Sequence, residues 1–310
     1  MRKVGVIGGG NVVATAAYQI ASRDLADVAL YDILPGVPAG KALDMTQAGP
    51  VFGYDARVEG SDQIGVIRGA EVVVVTAGFP RKPGMDRMDL LKKNADIAKS
   101  AGLAIRQHAP GAVVVVITNP LDVMTWVVKE VTGFPRSRVI GMAGVLDCAR
   151  FSAFIAMELG CSPKDVKPMI LGGHGDTMVP LPRFSTVHGV PVTELLSADA
   201  VKRIADRARN GGAEIVKLLG TGSAYYAPAA SATVMVEAIL GDTGRVLPVS
   251  ACLDGEYGMK DVYLGVPAAL GRGGVRRVVE LRLDADERAA LEKSAASVRA
   301  GIAEVKPLLA

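Results

Sequence analysis

A chain of 310 residues is longer than one ordinary domain and short for three, which points to two lobes or one large α/β unit with a sizeable core. Half the residues are hydrophobic but only 5% are aromatic, so aliphatic side chains must fill that core, as where helices pack on a buried sheet. The 35 basic residues nearly balance the 32 acidic ones, and a scattered net charge of +3 argues against nucleic acid or a membrane surface as a partner.

In chain order, five short apolar runs punctuate the first half: Val4 to Ile7, Val28 to Tyr31, Val72 to Thr76, Val113 to Thr118 and Val139 to Gly141. Each is too brief for a helix, is rich in β-branched residues and stops at a turn-forming residue, so each reads as a strand. Between them, Asn11 to Ser22, Asp89 to His108 and Leu121 to Val131 have helical character, and the alternation predicts a doubly wound parallel sheet. After about residue 145 the rhythm changes. Helices are expected over Ala149 to Leu159, Ala198 to Leu219, Ala224 to Leu240 and Asp284 to Lys306. Strands are expected over Val166 to Leu171, Val246 to Leu253, Val262 to Leu270 and Val275 to Glu280. This predicts a dinucleotide-binding domain over 1–145 and a mixed α+β substrate domain over 146–310, with a different set of strands in the second.

No stretch approaches the roughly 20 unbroken apolar residues that span a bilayer, and the N-terminus enters a strand pattern without an apolar run of signal-peptide length. Cys148, Cys161 and Cys252 form no CxxC pair and have no metal-ligand spacing to His108, His174 or His188. Reduced thiols, no metal and a cytoplasmic location are the expectations.

The first strand runs into Gly8-Gly9-Gly10-Asn11-Val12-Val13, where a helix begins, which is the context of a dinucleotide fingerprint. Glycines there allow a tight turn and close approach of the backbone to a pyrophosphate, while the helix start offers free N–H groups. Val13 replaces the third glycine of that pattern, so slightly wider helix-strand packing is expected. A GGG turn also suits a strand-to-helix corner with no ligand. Asp32 closes the second strand 24 residues after Gly8, where a carboxylate accepts from ribose hydroxyls and repels a 2′-phosphate, favouring NAD over NADP. The plainer alternative is a surface Asp before the Pro35-Gly36 turn.

Arg81 and Arg87 sit in a proline- and glycine-broken loop after the third main strand, either a ligand-closing loop or a solvated basic one. Asn119 ends the fourth strand before Pro120, a position that also suits a plain turn. Asp147 and Arg150, three apart, share a helical turn and could form an ordinary ion pair. His174 lies in Gly172-Gly173-His174-Gly175-Asp176, stripped of neighbouring bulk, whereas His108 and His188 read as structural.

Taken in order, GGGNVV, YD at 31–32, AGFPRKPGMDR at 77–87, ITNPLDVMT at 117–125, GVLDCARF at 144–151 and GGHGD at 172–176 resemble the lactate/malate dehydrogenase family, most closely its lactate-dehydrogenase-like malate branch. The likeness extends at least to GSAYYAPA at 222–229. It implies an NAD-dependent oxidoreductase that interconverts malate and oxaloacetate in the tricarboxylic acid cycle as a homodimer or homotetramer. It implies His174 as acid/base, Asp147 as its carboxylate partner, Arg150 as the fork for the substrate C1 carboxylate, and Arg87 as the group polarising the reacting oxygen. Asn119 then touches both substrate and cofactor, with Ile117, Thr118 and Asn94 as further cofactor contacts. Arg81 falls where the family discriminates substrates, arginine resembling malate enzymes and glutamine lactate enzymes. A lactate or other 2-hydroxy-acid dehydrogenase, and a non-catalytic NAD-binding sensor, are the competing readings.

Overall fold

The computed structural model describes residues 2–79 and 87–309, and of Arg87 its backbone alone. Its elements in chain order begin with β1 (Lys3–Ile7), α1 (Asn11–Ser22), β2 (Asp27–Tyr31), α2 (Val37–Phe52), β3 (Val58–Ser61) and β4 (Val72–Val75). There follow α3 (Arg87–His108), β5 (Val113–Val116), α4 (Leu121–Thr132), β6 (Val139–Gly141) and α5 (Ala143–Leu159). Short pieces come next: β7 (Val166–Lys167), β8 (Ile170–Leu171), β9 (Val179–Pro180), β10 (Thr186–Val187), β11 (Val190–Pro191) and α6 (Val192–Leu195). The chain closes with α7 (Ala198–Leu219), α8 (Tyr226–Leu240), β12 (Val246–Asp254), β13 (Lys260–Gly271), β14 (Gly274–Val278) and α9 (Ala285–Val305).

β4 and β5 are each four valines and every one is buried, as expected of inner strands covered by helices on both faces. The main sheet has nine strands in the order β14-β13-β12-β6-β5-β4-β1-β2-β3. Strands β1 to β6 are mutually parallel. The chain winds outward from β1 to β2 and β3, then crosses back to β4 and continues the other way. The switch therefore lies between β1 and β4, and the crevice beyond their carboxyl ends is where such sheets receive ligands.

The expectation of separate strands for the second half is corrected here. β12 pairs antiparallel with β6 through Ser250 and Gly141, and β13 and β14 extend the same sheet antiparallel. The expected boundary after residue 145 falls inside α5, which runs unbroken from Ala143, so the predicted start at Ala149 is six residues late. The single strand expected over Val166 to Leu171 is broken at Pro168 into β7 and β8, which join different small sheets. α2 and β3 had no counterpart in the predicted elements. Prolines 35, 38 and 50 disguise α2, yet Pro38 sits in its first turn, where a missing N–H costs nothing, and Gly53 caps it in the left-handed region (φ +77°). β3, Val-Glu-Gly-Ser, carries one apolar residue and offers no periodicity.

Val13 is fully buried within the aliphatic core, so the side chain in place of the third fingerprint glycine is absorbed by packing. Gly141 sits at the seam of the two halves. A Cβ there would lie 2.6 Å from Leu121 Cδ2 and 2.8 Å from both Ser250 Cβ and Thr125 Oγ1. Gly141→Ala is expected to destabilise the chain by about 1–3 kcal/mol through overpacking. The measurement is urea unfolding, with a lower midpoint at unchanged slope.

Candidate active site

Three consecutive glycines follow β1, each for a different physical reason. Gly8 has φ +120°, and a Cβ on it would stand 3.1 Å from Ala77 N at the end of β4. Gly9 faces Asp32 so closely that a Cβ would come within 2.5 Å of Oδ2. Gly10 is the N-cap of α1, without a side-chain cap, and a Cβ on it would meet nothing within 4 Å. The first-turn N–H groups of α1 at Asn11, Val12 and Val13 are thus presented over an open glycine surface, which fits a pyrophosphate. Asp32 Oδ1 accepts from Leu34 N at 2.9 Å, leaving Oδ2 turned toward the glycine turn. Lys41 of α2, absent from the sequence-based site, donates to the Gly9 carbonyl and steadies the turn.

Across the crevice, Asn119 is exposed at the carboxyl edge of β5, as expected, whereas Ile117 and Thr118 are buried. The Thr118 hydroxyl donates to Ala77 O at 2.8 Å, tying β5 to β4 beyond their last paired residues. Asn94 differs from its expected place as a cofactor contact. It is 2% exposed; its Oδ1 accepts from Phe79 N (2.7 Å) and its Nδ2 donates to Asn119 O (2.8 Å) and Phe79 O (3.3 Å). Both its N–H donors and one acceptance by its oxygen are used inside the protein, where they tie the Phe79 backbone to the Asn119 carbonyl.

Two of the three expected catalytic residues, Asp147 and His174, come together with the expected carboxylate fork Arg150. Asp147 on α5 is 2% exposed, and its Oδ2 lies 2.9 Å from His174 Nδ1. Its Oδ1 lies 3.8 Å from Arg150 Nη1, one helical turn on, and has no hydrogen bond, nor does the buried Nε of Arg150. With Nδ1–H donating to Asp147, the His174 Nε2 is the ring atom free to exchange a proton with a ligand. Burial opposes protonation of His174. The Asp147 carboxylate, by charge and by its hydrogen bond, and the charge of Asp122 outweigh it and raise the imidazole above its ordinary pKa. Burial likewise lowers the Arg150 pKa, with Asp147 acting against it.

Two glycines in the interior of α7 went unread in the sequence. A Cβ on Gly211 would stand 3.1 Å from Arg150 Cδ, and one on Gly212 3.3 Å from Arg150 Nη2. Glycine costs an α-helix up to about 1 kcal/mol against alanine, and that cost was the available signal that a large side chain lies flat there. Asp122, Ser250 and Ser294, which hold the His174 loop, were also missed, since nothing local distinguishes a buried serine or a first-turn aspartate. Arg81 lies outside the described residues, and Arg87 is placed only as the first residue of α3. Among the described residues no group of three His, Cys, Asp or Glu could hold a metal ion.

Residues 2–141 match the lactate/malate dehydrogenase NAD-binding domain, and residues 144–308 match the lactate/malate dehydrogenase alpha/beta C-terminal domain. The chain belongs to the lactate/malate dehydrogenase family. It is 53% identical over 306 residues to a malate dehydrogenase of Roseiflexus sp. (strain RS-1) and 54% over 307 to one of Thermomicrobium roseum, covering 99% of each chain in both cases. Among solved structures, the apo malate dehydrogenase of Picrophilus torridus superposes with a TM-score of 0.96 at 42% identity over 99% of this chain and 98% of that one. A lactate dehydrogenase of Cryptosporidium parvum, complexed with lactic acid and the NAD cofactor, superposes at 0.95 with 40% identity over 98% of both chains. The family's two domains meet within 141–144, at the β6-to-α5 corner.

Replacing Asp147 by Asn leaves the burial of His174, the largest influence on it, opposed only by the smaller effect of the Asp122 charge, so the imidazole pKa is expected to drop below the ordinary histidine value. With three histidines in the chain, NMR titration of the ring resonances follows it directly. An unmoved titration would mean that Asp147 does not set the charge of the ring.

Proposed function

We propose that this chain is an NAD-dependent malate dehydrogenase whose acid/base is His174. The observation that carries the residue assignment is the 2.9 Å contact of Asp147 with His174 beside Arg150, with the His174 backbone tied to Asp122 just beyond the carboxyl end of β5. A sensor that only binds NAD has no use for a buried carboxylate poised on an imidazole.

When bound, NAD accepts a hydride in malate oxidation and, reduced, donates one in the reverse direction. The chain supplies the rest. Oxidation of a secondary alcohol releases the hydroxyl proton as the hydride leaves carbon, and neutral His174 takes that proton at Nε2. Asp147 holds the tautomer and offsets the imidazolium that results. Arg150 offers the C1 carboxylate a planar pair of donors, which fixes C2 in orientation as well as in place. Asn119, on the exposed edge of β5, is in position to bond substrate and cofactor together. The raised basicity of His174 sets the sign of the pH response: malate oxidation gains as pH rises through its pKa, and oxaloacetate reduction loses.

Substrate choice falls to Arg81, paired with the distal carboxylate, while Arg87 polarises the reacting oxygen. A second guanidinium in a closed cleft needs the second carboxylate of malate, and with a monocarboxylate it is buried without a partner. The fold does not make this choice, because lactate and malate enzymes superpose on this chain with similar TM-scores. Arg81→Gln is expected to lower kcat/KM for oxaloacetate by two orders of magnitude or more, in line with the ~3–5 kcal/mol of a broken buried ion pair. Its relative rate with pyruvate is expected to rise. Steady-state NADH consumption with the two keto acids measures both, and an unchanged preference would remove Arg81 from the specificity role.

The reading includes a homo-oligomer in the cytoplasm. Its support is the exposed apolar side chains Leu43, Val51 and Phe52 of α2, Leu218 of α7 and Tyr226 of α8, together with three free cysteines. Among the described residues no helix is long and apolar enough to cross a membrane. Sedimentation velocity is expected to give a dimer or larger species, and a monomer at micromolar concentration would refute the assembly.

A further inference from the structure

The loop that carries His174 is rich in glycine. Gly172 and Gly175 adopt φ +87° and +97°, and Gly173 lies between the former and His174. Glycines impose little torsional preference, so ties from outside must set the geometry of this loop. Gly172 exchanges two backbone hydrogen bonds of 2.9 Å with Gly265 of β13, and Gly173 N donates to Ser294 Oγ of α9 at 2.7 Å. The third tie acts on the acid/base itself: His174 N donates to Asp122 Oδ2 at 2.8 Å.

Asp122 is 5% exposed in the first turn of α4, three residues after Asn119. Its second oxygen accepts from the Ser250 hydroxyl of β12 at 2.6 Å, and Ser250 is completely buried. One carboxylate thus joins the helix that follows Asn119, the seam between the two halves of the sheet, and the backbone of His174. We infer that Asp122 is a positioning residue for catalysis, holding the His174 backbone, and through it Nε2, in register with Asn119, a role that rests on the malate dehydrogenase reading above. Asp147 orients the ring about its own bonds, and Asp122 fixes where those bonds begin. A displacement of about 1 Å at a reacting group can cost on the order of 100-fold in rate, so an anchor of this kind acts on kcat before it acts on binding.

An amide at position 122 keeps an oxygen for His174 N and a donor for Ser250 Oγ, whereas alanine keeps neither. Asp122→Ala is therefore expected to lower kcat for oxaloacetate reduction about ten-fold or more. KM and the affinity for NADH, from fluorescence titration, should stay within about two-fold, because Arg150 and the glycine turn are untouched. Asp122→Asn is expected to recover most of the lost kcat. Ser250→Ala frees one carboxylate oxygen and should lower kcat by a smaller factor with KM unchanged. This serine variant becomes the deciding measurement if Asp122→Ala does not fold. Full kcat in Asp122→Ala, a rate for Asp122→Asn no better than for Asp122→Ala, or, failing a folded alanine variant, full kcat in Ser250→Ala overturns the inference. Failure of the unmodified chain to consume NADH with oxaloacetate would instead overturn the functional reading itself.

Discussion

A carboxylate almost wholly removed from water is stable only if something nearby wants its charge, and Asp147 is such a group. It has one hydrogen bond, to His174, and stands 3.8 Å from the guanidinium of Arg150. Burial alone would keep the imidazole neutral and weaken the guanidinium; the shared carboxylate works against both. Acid/base and anion-binding group are therefore balanced on one buried charge. The unsatisfied Oδ1 and Nε between them show that the balance relies on proximity more than on a completed hydrogen-bond network.

That triangle has to be brought to the cofactor crevice, and the single nine-stranded sheet does this. β1 and β4 place the glycine turn, β5 places Asn119, and the β6–β12 pairing at Gly141 and Ser250 joins the second half to the same frame. α5 starts directly after β6, so Asp147 and Arg150 emerge beside the sheet edge without a flexible linker. Asp122 and Ser250 lie along this same seam, tying the His174 loop to the sheet that positions the cofactor turn.

Several features were legible in the residues because their physics is local. Valine runs announce inner strands, Gly8 to Gly10 announce a turn that side chains would obstruct, and Asp32 stands at a readable distance from them. The spacing of Asp147 and Arg150 puts them on one helical turn wherever that helix lies. α2 was hidden because its prolines and glycines break periodicity while its caps and packing still favour a helix. Asn94 was read as a cofactor contact because sequence shows an amide near the site, whereas only the tertiary structure shows its amide bonded to the backbone at Phe79 and Asn119.

By itself the sequence determined the inner parallel strands, where the dinucleotide turn lies and which side chains have the chemistry for proton transfer and carboxylate binding, since these follow from neighbours within a few residues. Tertiary structure alone decided that β12 to β14 extend the first sheet and that α5 begins at the seam. It also decided that Gly211 and Gly212 make room for Arg150 and that Asp122 reaches the backbone of His174. The reason is physical: a contact across 52 residues of chain, such as that between Asp122 and His174, leaves no periodicity or cap in either segment. It exists only once the sheet has closed and withdrawn both groups from water.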